Sequence, residues 1–311
     1  MRLLTPWHVD HLPAICDTAS EDWDAYRLVE AVSLLRAFSL VSTIAPNGVI
    51  HVSLHALVHA WARDRQSPHD QQQAWLRMGC LAALAIGYGD LPRDQKHQVQ
   101  PHVEALVGWP VSRALSTGPP TLVARMLVHC GQYLLDQRSD GKLYALLQAL
   151  LTSLGLNRLQ VEQAWIGLYD FAALASLYHG RVEEAVALLE QVVKIRKQTL
   201  AVEHPSRLAS QHELAGAYRA NGQVREAVAL LEEVVEIRKQ TLVAEHPDRL
   251  ASQFYLAVYV WDLGEREASL SLMTHVVNIY KQVQDEQHPA RQDSEWWLAH
   301  FKQERAVLEL G

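Results

Sequence analysis

The chain has 311 residues, 49% of them hydrophobic, which is enough to bury the cores of two ordinary domains. Its formal net charge of −7 argues against a nucleic-acid-binding protein, which needs clustered lysine and arginine. No apolar run reaches the roughly 18 residues of a membrane span, and the N-terminus lacks the apolar segment of a secretory signal.

The three cysteines, Cys16, Cys80 and Cys130, are far apart and odd in number. This usage favours a reducing compartment, which we take to be the cytoplasm, and argues against a disulfide framework. Because the chain has a negative net charge and no apolar run long enough to span a membrane, neither a nucleic acid nor a membrane is expected as a partner.

The N-terminal segment, residues 1–66, predicts half of a winged-helix unit. Ser20 is a plausible N-cap for a first helix, because acidic residues follow it. Residues 38–43 (FSLVST) and 49–53 (VIHVS) predict two strands, and the Asn47-Gly48 turn between them is typical of a hairpin. Residues 54–65 predict a second helix.

The sequence of this segment resembles the C-terminal part of the winged helix in NB-ARC (STAND) NTPase switches, particularly those of fungal NLR-like proteins that carry repeats. The matching stretches are LLRAFSLV at 34–41 and VSLHALVHAWAR at 52–63. The resemblance implies that His55 senses a bound nucleotide. The 311 residues contain no GxxxxGK[ST] phosphate loop. Either a nucleotide-binding domain precedes Met1, or the chain is a relative built from repeats alone.

Residues 67–118 predict a helical connector, which five prolines divide into short helices (Pro92, Pro101, Pro110, Pro119 and Pro120). Residues 119–160 predict a helix pair, 121–136 and 142–154. Its Gly141 precedes Gly180 by 39 residues, so we interpret the pair as a degenerate repeat.

The C-terminal half contains a sequence unit that is repeated with few changes. Residues 181–211 and 223–253 are identical at 24 of 31 aligned positions. Gly180, Gly222 and Gly264 keep the same step of 42 residues, as do three His-Pro pairs beginning at His204, His246 and His288. A fixed period in this range predicts stacked repeats, in which each unit covers the apolar face of its neighbour.

Each unit predicts two helices. Residues 207–221 form the first, which Gly222 ends, and residues from 224 onward form the second, with apolar spacings of three and four. A proline then breaks the chain. The predicted repeats span 165–206, 207–248 and 249–290, within 161–290, and residues 291–311 predict a capping helix.

The unit resembles a tetratricopeptide repeat (TPR), in the 42-residue version of kinesin light chains. The second unit carries the family's small and aromatic positions at Ala215, Tyr218, Gly222 and Ala227, and an HP loop. The resemblance implies an all-α solenoid, preceded here by the partial winged-helix unit with its small β-hairpin. It also implies a concave groove, lined by the first helices, that binds a protein or peptide. The groove positions are Asp170, Leu174, Leu177, His212, Gly216, Arg219, Phe254, Val258 and Trp261.

An internal comparison favours this groove. His212-Glu213 in the second unit becomes Phe254-Tyr255 in the third, and Arg219 becomes Trp261, whereas IRKQTL is identical in the first two units. The differences predict tuned partner contacts. The alternative is that Phe254 and Trp261 only pack on the next unit.

No catalytic or metal motif stands out. The spacing of His51, His55 and His59 lacks both an HExxH pattern and a cysteine partner, and serine hydrolase motifs are missing. We therefore predict a non-enzymatic scaffold without cofactor or metal. One hypothesis makes it the sensor half of an NB-ARC/TPR NLR-like protein, whose nucleotide-binding domain is not in this chain. The other makes it a free-standing adaptor similar to kinesin light chain.

Overall fold

The structure is a computed structural model that describes residues 41–44, 51–54, 60, 64–88, 93–157 and 160–310. They belong to two compact units, an N-terminal one that ends at Tyr133 and a C-terminal one that begins at Leu134. Within the described ranges, no helix is long and apolar enough to cross a membrane.

The N-terminal unit contains a two-stranded antiparallel sheet. Strand β1 (Val41–Ile44) pairs with β2 (His51–Leu54), so that Val41 lies opposite Leu54 and Ile44 opposite His51. Both strands overlap the predicted ones, displaced toward the C-terminus. The helix predicted after Ser20, most of the helix predicted over 54–65, and His55 and His59 lie outside the described residues. The winged-helix unit therefore stays a prediction.

Among the residues that the structure describes, four helices with defined bounds follow the sheet. They are α1 (Pro68–Tyr88), α2 (Arg93–Val107), α3 (Val111–Leu115) and α4 (Pro120–Asp136), whose last residues enter the C-terminal unit. The prediction that every proline divides helices is wrong at Pro101, which lies inside α2. A helix can continue through proline at the loss of one backbone hydrogen bond. Trp75 stacks on Trp109 with ring centroids 5.3 Å apart.

The C-terminal unit is a row of paired helices. It consists of α5 (Asp140–Ser153), a short 3-10 turn (Gln163–Trp165), α6 (Ile166–Tyr178), α7 (Val182–Thr199), α8 (Pro205–Ala220), α9 (Val224–Thr241), α10 (Pro247–Leu263), α11 (Arg266–Val283) and α12 (Pro289–Leu310). From α6 to α12, each helix packs on the next one in the chain.

The predicted turns inside the repeats are confirmed. Gly180, Gly222 and Gly264 follow the first helix of each pair with φ of +82°, +79° and +95°, a left-handed conformation that glycine adopts without strain. At the middle turn, the N–H of Gln223 donates to the carbonyl of Tyr218 at 2.8 Å, which closes the helix end as in a Schellman motif.

The turn of the degenerate repeat differs from its prediction. Gly141 lies inside α5, and the left-handed residue between α4 and α5 is Arg138, with φ +54°. The N–H of Ser139 bonds to the carbonyl of Leu134 at 2.9 Å there, so the same closing hydrogen bond forms without glycine.

The His-Pro pairs start helices, a role that the sequence interpretation missed. The Nδ1 atoms of His204 and His246 each accept a hydrogen bond at 3.1 Å from the backbone N–H two residues on. The proline that follows occupies the first helical turn, where its missing N–H costs nothing. Each histidine therefore caps the first helix of its unit.

The core of the repeats lies between the paired helices. Ala215, Ala227, Leu231 and Val234 are completely buried within it. Helix α12 begins at Pro289, which is 42 residues after Pro247, and so takes the place of the first helix of a further unit. Its Phe301 is fully buried, as a helix that covers the last apolar face requires.

Candidate partner-binding groove

The first helices α6, α8 and α10 present equivalent positions at steps of 42 residues, and three predicted groove residues share one such position. Asp170 forms an ion pair with Arg196 on α7, the second helix of its own unit. His212 lies near Arg238 on α9. Phe254 packs partly buried on a cluster that includes Tyr280 of α11. This position therefore lies toward the second helix of each unit, and for Asp170 the contact is an ion pair.

Three other predicted residues are buried. Leu174, Val258 and Trp261 keep only 4%, 3% and 5% of their surface exposed. The Trp261 ring stacks on Phe301 of α12, with centroids 4.2 Å apart, and its Nε1 donates to Glu304 at 2.9 Å. The packing alternative therefore describes Trp261, because the ring is covered by the next helix. For these three residues, the structure corrects the expectation of open groove surface.

Arg219 is the predicted residue that is most open. Its side chain is 40% exposed, forms an ion pair with Asp262 and lies over the Tyr259 ring at 5.2 Å. Trp261 and Phe301 lie 42 residues after Arg219 and Tyr259, so they occupy the same two positions one unit later. The contact of Arg219 with the Tyr259 ring therefore corresponds to the stacking of Trp261 on Phe301. Leu177 is half-buried, and Gly216 lies where an added Cβ would meet the Tyr259 hydroxyl at 3.4 Å.

Sequence reasoning did not place Tyr178, Glu213 and Tyr255 in the groove, although each directly follows a predicted residue. Tyr178 and Tyr255 are 40% and 42% exposed, so part of each aromatic ring is open to solvent. The Tyr255 ring meets the His212 ring edge-on at 5.1 Å. The exchange of His212-Glu213 for Phe254-Tyr255 was the available signal, since it directly follows the RLASQ segment that the second and third units share.

The electrostatics of the groove are dominated by desolvation. Burial raises the pKa of Glu213 to about 7; the neighbouring Asp170 adds to the rise and Arg238 opposes it. Burial also raises the pKa of Asp170 to about 6, against the effect of Arg196. Burial and Arg238 lower the pKa of His212 to about 4, so its imidazole is neutral at pH 7. The groove thus holds carboxyl groups that are costly to ionise.

Glu213→Gln is expected to stabilise the protein at high pH. The folded pKa of about 7 lies above the reference value of 4.5, so this carboxyl's stabilising contribution is complete below pH 4.5 and is lost as pH rises through 7. Glutamine mimics the protonated form at every pH. Urea unfolding gives the free energy of unfolding of the variant and of the natural protein. The difference between them, in favour of the variant, should be about 1–3 kcal/mol larger at pH 8 than at pH 4.5. Glu232→Gln, on the exposed face of α9, is the control and should show no such change. If the difference in free energy of unfolding between Glu213→Gln and the natural protein does not vary with pH, Glu213 is well solvated.

Within the described residues, no group of three or more His, Cys, Asp or Glu side chains is placed to hold a metal ion. The side chains of His51, His55 and His59 lie outside the part of the chain that the structure describes. What the groove offers is aromatic surface, two carboxyl groups and one exposed guanidinium.

Comparison with known proteins supports the repeat interpretation. The family described as Tetratricopeptide repeat matches residues 168–240 and 206–282. Two crystal structures of a Podosopora anserina putative kinesin light chain, with nearly identical TPR-like repeats, are each 33% identical to this chain. They cover 70% and 71% of it and are themselves covered to 98% and 100%, with TM-scores of 0.53 and 0.52.

A more distant similarity extends over most of the chain. The apo form of RapI is 10% identical, covers 92% of this chain and is covered to 70%, with a TM-score of 0.53. At that identity the likeness concerns the fold alone. No protein with a curated description matches the sequence.

Proposed function

This chain belongs to the tetratricopeptide-repeat family, and we propose that it is a non-enzymatic scaffold whose groove binds a protein or peptide. The carrying observation is the divergence at exposed positions between the first helices of the second and third units. These helices share RLASQ at 207–211 and 249–253, whereas Glu213 on α8 becomes Tyr255 on α10. Tyr255 and Arg219 are exposed, so contact with a partner explains the side chains at these two positions better than packing does.

Site-specific photo-crosslinking tests the groove directly. A benzophenone amino acid at Tyr255 is expected to crosslink a discrete partner in lysate of the source organism. The same group at Lys239, exposed on the second helix α9, is the matched control and should crosslink weakly. Equal or stronger crosslinking from position 239 to the same partner would show that the groove is not the binding surface.

We also propose that the repeats form the sensor half of an NB-ARC/TPR protein. The support is the pair of sequence segments at 34–41 and 52–63, which overlap the two strands of the β1–β2 hairpin. An antibody against residues 181–253 should then detect a natural protein well above the 35.0 kDa of this chain. Nucleotide-dependent changes in partner affinity would follow, with His55 as the sensing residue. A natural protein of 35 kDa contradicts this proposal and leaves the scaffold proposal intact.

The alternative is a free-standing adaptor similar to kinesin light chain. The observation in its favour is the 33% identity to a putative kinesin light chain, which this chain covers almost completely. This hypothesis predicts co-purification with a motor heavy chain and a natural protein of the present size. Purification without any motor chain would exclude it.

A further inference from the structure

We propose that the last helix of the array, α12, docks an amphipathic helix of a partner protein in the place that a second helix fills in the other units. The docking surface, which we call the terminal face, is defined by Trp296, Ala299 and Ala306. The inference goes beyond the proposed groove, because it concerns the end of the array and needs no contact inside the groove.

Helix α12 takes the place of a first helix but has no second helix of its own. Its Ala306 occupies the position of Gly222 and Gly264, which have positive φ and end their helices. At Ala306 no turn forms, and α12 continues to Leu310. Within the described residues, therefore, no second helix folds back onto the terminal face.

The preceding units show what covers the position of Ala299. Ala215 and Ala257 occupy it there and are completely buried. The carbonyl of Ala257 accepts a hydrogen bond at 2.7 Å from the Oγ of Ser269, so a second helix lies directly against this alanine. A small side chain at such a contact lets two helices approach closely. Ala299 keeps the small residue, yet it is exposed.

Trp296 supplies apolar surface beside this alanine. It occupies the position of Phe254, which packs on a cluster that includes Tyr280 of the second helix α11. Trp296 itself is 60% exposed. Its ring stacks on His300 with centroids 5.2 Å apart and meets Trp297 edge-on at 5.2 Å, so its neighbours hold it in place. A tryptophan that is already ordered loses little freedom on binding and is typical of interface centres.

A cleft beside Ala306 has room for the first turns of the docked helix. It has a volume of about 530 Å³, lies between α11 and α12, and is lined by Leu270, Lys302 and Ala306 among others. One unit earlier, Val260 occupies the position of Lys302 and is buried in a core cluster that includes Leu270 of α11. The first turns of α11 fill the corresponding space there, whereas beside α12 the space is open.

Polar residues at the border of the terminal face limit its size. Gln292 and Lys302 are exposed and replace Leu250 and Val260, which are 1% and 4% exposed. These changes keep the bare helix compatible with water, as a terminal repeat requires. The apolar contact is therefore smaller than the contact inside a unit, which suits a partner that binds and dissociates.

The helix that fits best has the pattern of α11. The first helix paired with α11 carries Phe254, an aromatic residue like Trp296 at the same position. Where α11 packs on it, Ser269 is small and fully buried, and the buried apolar residues Met273 and Val277 follow at helical spacing. An amphipathic helix with a small residue followed by apolar ones at this spacing is the expected occupant.

A second copy of this chain is a poorer occupant. In the described part of the chain, α7, α9 and α11 each pack between two first helices of their own array, so they are not free to dock elsewhere. The α12 of a second copy would place its own Lys302 and Gln292 against the same polar residues. Like charges at a contact repel, and the apolar spacing of a second helix is missing.

Fluorescence anisotropy with a helical peptide tests the inference. The probe is a labelled peptide with the sequence of residues 266–283, held helical by a lactam link between positions 271 and 275, which are exposed in α11. The control peptide has the same link and carries Leu270→Gln, Met273→Gln and Val277→Gln. The full chain is expected to bind the natural sequence at least about tenfold tighter than the control, because only the natural sequence buries three apolar side chains.

Variants of the full chain locate the bound peptide. Trp296→Ala is expected to weaken the natural peptide about tenfold, and Ala299→Glu at least as much, because it places a charge in the packing site. Both residues are exposed in the free protein, so circular dichroism of the variants should be unchanged. Ala229→Glu, at an exposed alanine of α9, is the matched control and should not change the affinity.

Equal binding of the two peptides, or full affinity in both Trp296→Ala and Ala299→Glu, would overturn the inference. So would a dimer of the full chain in sedimentation velocity that Trp296→Ala dissociates, because the second copy would then be the occupant. Arg219→Ala separates the terminal face from the groove and should leave the peptide affinity unchanged. A weaker affinity in that variant would place the peptide in the groove and would also overturn the inference.

Discussion

Trp261→Ala is expected to lower the free energy of unfolding by about 3–5 kcal/mol, the range for large aromatic residues removed from a core. Trp261 is 5% exposed and stacks on Phe301, which is completely buried. Its Nε1 also donates to Glu304 at 2.9 Å. The substitution removes the ring that joins α10 to α12, so urea unfolding should shift and far-ultraviolet circular dichroism should show loss of helix.

Trp296→Ala is the matched control in the same region. This tryptophan lies on α12 and is 60% exposed, so its loss should change the unfolding free energy by no more than about 0.5 kcal/mol. Trp261→Phe should lie between the two, because it keeps a stacked ring and loses the Nε1 hydrogen bond. Equal effects of the two alanine variants would show that Trp261 is not the contact between α10 and α12.

The same geometry decides how binding should be tested. A Trp261→Ala protein that lost its partner would have lost it by damage to α12, so the result would say nothing about the groove. Arg219→Ala and Tyr255→Leu change exposed side chains and leave the buried stack of Trp261 on Phe301 in place. They are therefore the informative substitutions.

The repeat architecture could be predicted from the sequence, because its determinants are local and periodic. Gly222 ends a helix because it takes a left-handed conformation there. The apolar spacing from Val224 onward marks one buried helix face. The predicted second helix begins at Val224, as in the structure, where it runs to Thr241. The prediction of tetratricopeptide repeats in an α-helical solenoid is confirmed by the family match and by the similar structures.

The open surface of the groove could not be predicted in the same way, because it depends on the neighbouring unit. Positions 219 and 261 are equivalent in the repeat, yet Arg219 reaches solvent while Trp261 is covered by α12. A long charged side chain extends past the next helix, whereas a large flat ring packs on it. The period gives each residue its position in the repeat. The side chains of two adjacent units then decide whether that position is open.

The turns between paired helices also include some that residue type predicts and one that it does not. Glycine marks the turn of the three clear units, and extending that rule to Gly141 failed because Arg138 takes the left-handed conformation instead. Capping hydrogen bonds fix such a turn, and they depend on backbone contacts that residue type does not reveal. The winged-helix and NB-ARC interpretation of residues 1–66 stays a prediction, as does the nucleotide role of His55.

Leu231→Ala is expected to cost about 2–5 kcal/mol of unfolding free energy. Leu231 lies on α9, which packs against both α8 and α10, and its side chain is completely buried in the core between the helices. The interior is close-packed, so a shortened side chain leaves a cavity that rigid helices fill only in part. Because each unit contacts only its neighbours, the loss should weaken the array in the middle and broaden the urea transition.

The repeat supplies its own comparison for this result. Leu189 and Met273 occupy the equivalent position in the adjacent units and are 2% and 0% exposed, so Leu189→Ala and Met273→Ala should fall in the same range. Val243→Ala, at a loop residue that is 69% exposed, is the control and should stay within about 0.5 kcal/mol of the natural protein. A Leu231→Ala loss no larger than that of the control would mean that α9 turns a different face to the core, and the assignment of the groove to α6, α8 and α10 would fail with it.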